Sequence, residues 1–161
     1  KKRKAWTATA IMEVLDQMTD NPLLHLAVHL GFVCSLRAGE IVGIDANSVD
    51  PRDQSLWITQ IVARVSDKSL KELPEERIVQ IFPKQNPRSS SCMILKAPKT
   101  DDSFRKQYLT APLLKEIQQR LEEIRENKVA LGRDYHDYGL LIYQPDGRPI
   151  DPNNLCKAFR R

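Results

Sequence analysis

The sequence predicts an α+β fold, a mostly helical body with a small antiparallel β-sheet beside it. Three observations carry this. Stretches near both ends repeat apolar residues at helical spacing. Between them lie runs rich in β-branched and aromatic residues, bounded by turn residues. The order of elements, helices then strands then helices, is that of an α+β layout. A chain of 161 residues suits one compact domain with one core.

The elements follow in order. Thr7 to Met18 carries Ala10, Ile11, Val14, Leu15 and Met18 on one side and reads as an amphipathic helix. Asn21 caps a second helix with Pro22 at its first position. Its sequence, LLHLAVHLGFVC, is apolar nearly all round, which predicts a buried core helix. Ser35 allows a new start, and RAGEIVGI reads as a short third helix. NSVDPRDQ is a turn and SLWITQIV a strand. From Ser66 to Ser91 the chain is polar and punctuated by proline, which predicts a loop with a short strand at Arg77 to Phe82. CMILKAPKTDDSFRKQYLT predicts a hairpin, two strand-like runs flanking the turn residues KTDDS. APLLKEIQQRLEEIRENKVAL is a long amphipathic helix with Leu114, Ile117, Leu121 and Ile124 as its stripe. YGLLIYQ is a short buried strand or extended segment, and PDGRP a turn. Asp151 caps a last helix, with Pro152 first and Leu155 and Phe159 on one face. No stop signal follows it and the chain opens on Lys1, so the sequence reads as a piece of a longer protein.

Formal net charge is +4, and the opening KKRK accounts for all of it. Residues 84–106 hold six Lys and Arg against two Asp. A balanced body with basic patches suits a polyanion on one face, although a solvated surface explains a single charge run equally well. No run of eighteen apolar residues is present, which excludes a membrane-spanning helix, and no secretory signal is visible. Cys34, Cys92 and Cys156 have neither zinc spacing nor an even count, so reduced thiols in a cytoplasmic protein are expected. His25 and His29 are four apart, the spacing of a zinc pair. Leu26 stands where the zinc-protease motif needs Glu, and no third ligand suggests itself in the sequence. They read as packing histidines, and no metal site is expected.

One stretch needs an explanation. LGFVCSLRAGEIVGID, residues 30–45, is a long apolar stretch that carries Arg37 and then Glu40 before turning apolar again up to Asp45. A guanidinium stays charged and is rarely buried alone. Arg37 falls in the first turn of the third helix, the wrong end for a cation, because the helix dipole there favours anions. Either it pairs with Glu40 one turn on, or it shares an external anion such as a phosphate with local N–H groups while Glu40 orients the guanidinium.

The same stretch resembles the first conserved box of the tyrosine recombinases, the phage-integrase family, through Arg37, Gly39, Glu40, Ile44 and Asp45. LKAPKTDDSFRKQYLT resembles that family's β-hairpin through Pro98, Lys99, Thr100, Ser103 and Arg105. LLIYQPDGRPIDPNNLCKAFRR is similar to the stretch ahead of the family's second box. The resemblance implies a partial catalytic domain. Residues 1–5 would be a basic remnant of an interdomain linker, and 6–161 the first box, the hairpin and the following helices.

It further implies site-specific recombination of double-stranded DNA through a 3′-phosphotyrosine, without metal or nucleotide cofactor, by a full-length protein that assembles as a tetramer on its site. Arg37 would be the first active-site arginine and Lys99 the hairpin lysine and general acid, with Glu40 as the third catalytic residue, orienting the Arg37 guanidinium. Lys1, Lys2, Arg3, Lys4, Lys96, Thr100, Ser103 and Arg105 would meet DNA. The family's second arginine and its nucleophilic tyrosine would follow Arg161, so the piece alone would be a monomer that cuts nothing. Tyr108, Tyr135, Tyr138 and Tyr143 read as strand or core residues. A non-catalytic DNA-binding accessory protein with the same fold, or an interaction module with a purely structural Arg37–Glu40 pair, are the rival readings.

Overall fold

The structure, a computed structural model, describes residues 6–98 and 103–160. It is α+β, as expected. Helix α1 (Ala8–Asp16) starts where Thr7 accepts a hydrogen bond from the Ala10 N–H at 3.2 Å. Helix α2 (Pro22–Val33) starts at Asn21, whose side chain accepts from Leu24 N–H at 3.1 Å, and buries Leu26, Ala27, His29 and Leu30. After it Ser35 takes a left-handed conformation, φ 52°, and turns the chain into the single-turn helix α3 (Ala38–Ile41).

Strands β1 (Val49–Asp50), β2 (Ser55–Ile58) and β3 (Ile61–Ser66) follow. The expected strand over SLWITQIV is therefore two, broken at Thr59 and Gln60. Gln60 turns aside there to donate to the Gly43 carbonyl at 3.0 Å. The stretch from Ser66 holds a helix that the sequence reading missed, α4 (Asp67–Lys71), capped by Ser66 with Asp67 in its first turn. The short strand within it is present as β4 (Ile78–Ile81).

The expected hairpin is not formed. Its two runs are β5 (Ser91–Lys96) and β6 (Arg105–Tyr108), and they belong to different sheets, β3-β5-β4 and β1-β2-β6. Both run antiparallel to the β2–β3 stretch, with Ile61 opposite Lys96 and Ile58 opposite Arg105. They lie end to end along it, and Ala97, Pro98, Ser103 and Phe104, between them in the sequence, belong to neither strand. The physical reason is the free edge. Cys92, Met93, Ile94 and Leu95 are all buried, so β5 takes the middle of its sheet, and β4 occupies the edge that β6 would need.

Helix α5 (Ala111–Leu131) buries Leu113, Leu114, Ile117 and Ile124 in the core and packs on α2. The segment over Leu140–Tyr143 is buried as expected, but it is extended chain with isolated bridges, Asp45 to Leu140 and Tyr143 to Pro149. Helix α6 (Pro152–Phe159) closes the described chain, capped by Asp151. Among the described residues no helix is long and apolar enough to cross a membrane.

Gly39 explains itself in this packing. Helix α3 lies directly on β3, and a Cβ on Gly39 would come 2.8 Å from the Val62 carbonyl oxygen. Gly39→Ala must push α3 off the strand. It is expected to cost about 1–3 kcal/mol, the usual penalty of overpacking, read as a lower urea midpoint at unchanged slope.

Candidate phosphate-binding site around Arg37

The Arg37 backbone is the N-cap of α3, in extended conformation at φ −78° and ψ 154°. Its side chain is 87% exposed. That is the opposite of what an apolar stretch suggests, and it follows from the cap position, which points the residue out of the helix before the buried face begins. Arg37 Nη1 stands 4.0 Å from Glu40 Oε1, the outer limit of an ion pair. The ion pair between the two side chains is therefore not what fixes either residue.

Glu40 is buried and has stronger partners. Its Oε1 accepts from Arg105 Nη1 at 2.9 Å and its Oε2 from Arg105 Nη2 at 3.1 Å, a two-pronged fork. Oε2 also accepts from the backbone N–H of Arg37 at 2.7 Å, half of a capping box. Burial pushes the Glu40 carboxyl up, but the hydrogen bonds from Arg105 and Arg37, with both charges, outweigh it and hold it below the ordinary carboxylate range. The bond to Glu40 in turn raises the Arg105 guanidinium.

This arrangement changes two expectations. Glu40 orients the backbone of Arg37 and the side chain of Arg105, not the Arg37 guanidinium. The Arg37 N–H is already given to Glu40, so an anion here would meet the exposed guanidinium rather than that N–H. Arg105 was expected to face DNA. It points inward with its side chain 28% exposed, and it also donates to the Ser103 carbonyl at 3.4 Å. Sequence reasoning could not supply this partner, because Glu40 and Arg105 are 65 residues apart and local spacing says nothing about such a pair.

Much of the basic run is also engaged internally. Lys84 bonds Asp67 and the Ser89 carbonyl, each at 2.8 Å, and Lys106 pairs with Asp53. Lys96 is half-buried at the end of β5 and Arg88 is exposed; neither makes an ion pair among the described residues. Lys1, Lys2, Arg3, Lys4, Lys99 and Thr100 lie outside the described residues. Lys99 lies between β5 and β6 in the sequence, six residues before Arg105.

The tyrosines are placed as strand or core residues. Tyr143 is buried and accepts from Asn127 at 3.2 Å. Tyr135 and Tyr138 are half-buried, packing edge-on against Tyr143 and Phe82. Burial pushes the Tyr135 phenol up, away from an easily ionised nucleophile. Tyr108 is exposed at the end of β6. Cys34 is a buried thiol, pushed up to about 11 by desolvation.

No protein-family model matches the chain, and no curated protein is similar to it in sequence. Solved structures of the Tn1549 transposon integrase are similar in fold. The integrase in complex with transposon right end DNA gives a TM-score of 0.65 at 12% identity, covering 99% of this chain and 46% of that one. The same integrase in complex with circular intermediate DNA gives 0.63 at 12%, covering 99% and 47%. The chain thus spans a little under half the length of the structures it resembles. At this identity the likeness is one of fold, and it runs through nearly the whole of this chain.

Proposed function

We propose that this chain is the first part of the catalytic domain of a tyrosine-type site-specific DNA recombinase, and that in the longer protein Arg37 binds the scissile phosphate. The observation that carries this reading is an exposed guanidinium on a backbone held from behind by a buried carboxylate, set in an integrase-like fold. A surface arginine with nothing to do has no need of a buried, doubly bonded glutamate beneath it.

In phosphoryl transfer the charge gathers on the non-bridging oxygens, and a forked guanidinium neutralises two of them at once. Arg37 takes this role. Lys99, between β5 and β6 in the sequence, protonates the leaving 5′-oxygen. Glu40 and Arg105 are positioning residues. They tie the start of β6, six residues after Lys99 in the sequence, to the Arg37 backbone. Lys96, Thr100, Ser103 and the opening KKRK meet the DNA backbone near by. The nucleophilic tyrosine and a second arginine come from the longer protein, which assembles as a tetramer on a double-stranded site. No metal and no nucleotide cofactor takes part.

The test is covalent capture. Full-length protein is incubated with a nicked duplex carrying a site selected from random sequence by binding. A protein–DNA adduct through a 3′-phosphotyrosine supports the proposal. Tight site-specific binding with no adduct, in a protein that does carry the late tyrosine, would instead make it a DNA-binding accessory protein.

A further inference from the structure

The two histidines of α2 have a third partner that the sequence does not reveal. Glu116, in the second turn of α5, reaches both. His25 Nδ1 lies 2.9 Å from Glu116 Oε2, and His29 Nδ1 lies 2.7 Å from Glu116 Oε1. One ligand atom from each residue falls within 4.8 Å of the other two. The imidazoles stand edge to face, 86° apart with centroids at 6.0 Å. An ionised carboxylate only accepts, so each Nδ1 carries the hydrogen in this state.

We propose that His25, His29 and Glu116 form a binding site for a transition-metal dication, Zn²⁺ by preference, that pins α2 to α5. Two imidazoles and one carboxylate are a donor set suited to zinc, with a position left for water. A tetrahedral ion with bonds of about 2.0–2.2 Å keeps its ligand atoms about 3.3–3.6 Å apart, so each of the two His–Glu116 contacts would open by less than about 1 Å to admit it, and all three ligand atoms already lie within 4.8 Å of one another. Coordination through Nδ1 moves the ring hydrogen to Nε2. A neutral imidazole therefore binds without net loss of a proton, and an imidazolium releases one.

The open position has a way in. A cleft of about 260 Å³ borders His25 and Glu116, and Gln119 and Glu123 add oxygen atoms to its wall. Arg120 also lines it and would repel a cation. Its charge is already committed, however. It donates to Glu123 at 2.9 Å and to the Leu141 carbonyl at 3.0 Å, and it lies over the Tyr143 ring at 4.2 Å. None of the three ligands belongs to the proposed phosphate site, so the ion would hold the fold together without entering the reaction.

The test uses the untagged 161-residue protein with Cys156→Ser, which removes the exposed thiol as a competing ligand. ZnCl₂ is titrated in by calorimetry, and Co²⁺ is added separately as an optical probe. One ion per chain is expected, with a raised Tm and a visible Co²⁺ band. His25→Gln, His29→Gln and Glu116→Gln each keep a hydrogen-bonding side chain and should lower zinc affinity by about 100-fold or more, the upper range for losing even an indirect contact to a metal. Far-UV circular dichroism identifies any variant that is not folded, and the folded ones decide the matter. No saturable zinc binding, or binding unchanged in the folded variants, overturns the proposal and leaves the trio as a hydrogen-bonded clasp.

Discussion

Arg105→Met is expected to destabilise the chain at pH 7 by about 3–5 kcal/mol, the range for stranding one member of a buried pair. The variant leaves the Glu40 carboxylate buried with one hydrogen bond, from the Arg37 N–H. Methionine fills most of the space and supplies no donor. Glu40→Gln should cost less. Arg105 is partly exposed and keeps an acceptor in the glutamine oxygen, and so does the Arg37 N–H. The double variant should recover part of the Arg105→Met loss, so the two substitutions are not additive.

The pH dependence has a definite sign. Folded Glu40 ionises below its unfolded value, so its contribution is present above about pH 4.5 and is lost as pH falls through the folded value. In Arg105→Met burial dominates and moves that carboxyl the other way, so acid relieves the strain. The stability gap between the two proteins is therefore widest near neutrality and closes below about pH 4. Urea melts at several pH values check this. A gap that does not change with pH would mean that the lost energy is packing and not charge.

Lys99→Ala in the full-length protein is expected to slow strand cleavage by roughly 10²–10⁴, the range for loss of a general acid. Site binding should hardly change, since one charge among many phosphate contacts is removed. A substrate with sulfur at the 5′-bridging position leaves without that proton and should recover most of the rate. If the sulfur substrate fails to rescue Lys99→Ala, the lysine binds phosphate and does not deliver the proton.

What was legible in the sequence was local. Caps at Asn21 and Asp151, the apolar stripe of α5 and the spacing of Arg37, Gly39 and Glu40 are short-range patterns, and each corresponds to an element in place. Ser66 followed by Asp67 was a cap signal of the same kind for α4, and it was missed among prolines and charges. The hairpin failed for a different reason. Two strand-like runs around turn residues do fit a hairpin, but pairing depends on which edges are free, and β4 from earlier in the chain had taken one. The partners of Glu40 and of the two histidines were invisible for the same reason. Arg105 and Glu116 arrive from 65 and 87 or more residues away, through the packing of the sheet and of α5. The role given to Glu40 changed accordingly, from a hand on the Arg37 guanidinium to a hand on its backbone.

Whether Arg37 neutralises a phosphate in the transition state is read from the single-turnover rate of covalent adduct formation by full-length Arg37→Ala and Arg37→Lys on the nicked site. Alanine should cost about 10²–10³ or more, by analogy with removing one oxyanion donor, with site binding retained. Lysine should fare little better, because a point charge does not replace a two-pronged fork. The 5′-sulfur substrate should rescue neither, since the missing interaction is with the non-bridging oxygens. An undiminished rate in Arg37→Ala would contradict the account and leave Arg37 a solvated surface arginine above the Glu40–Arg105 pair.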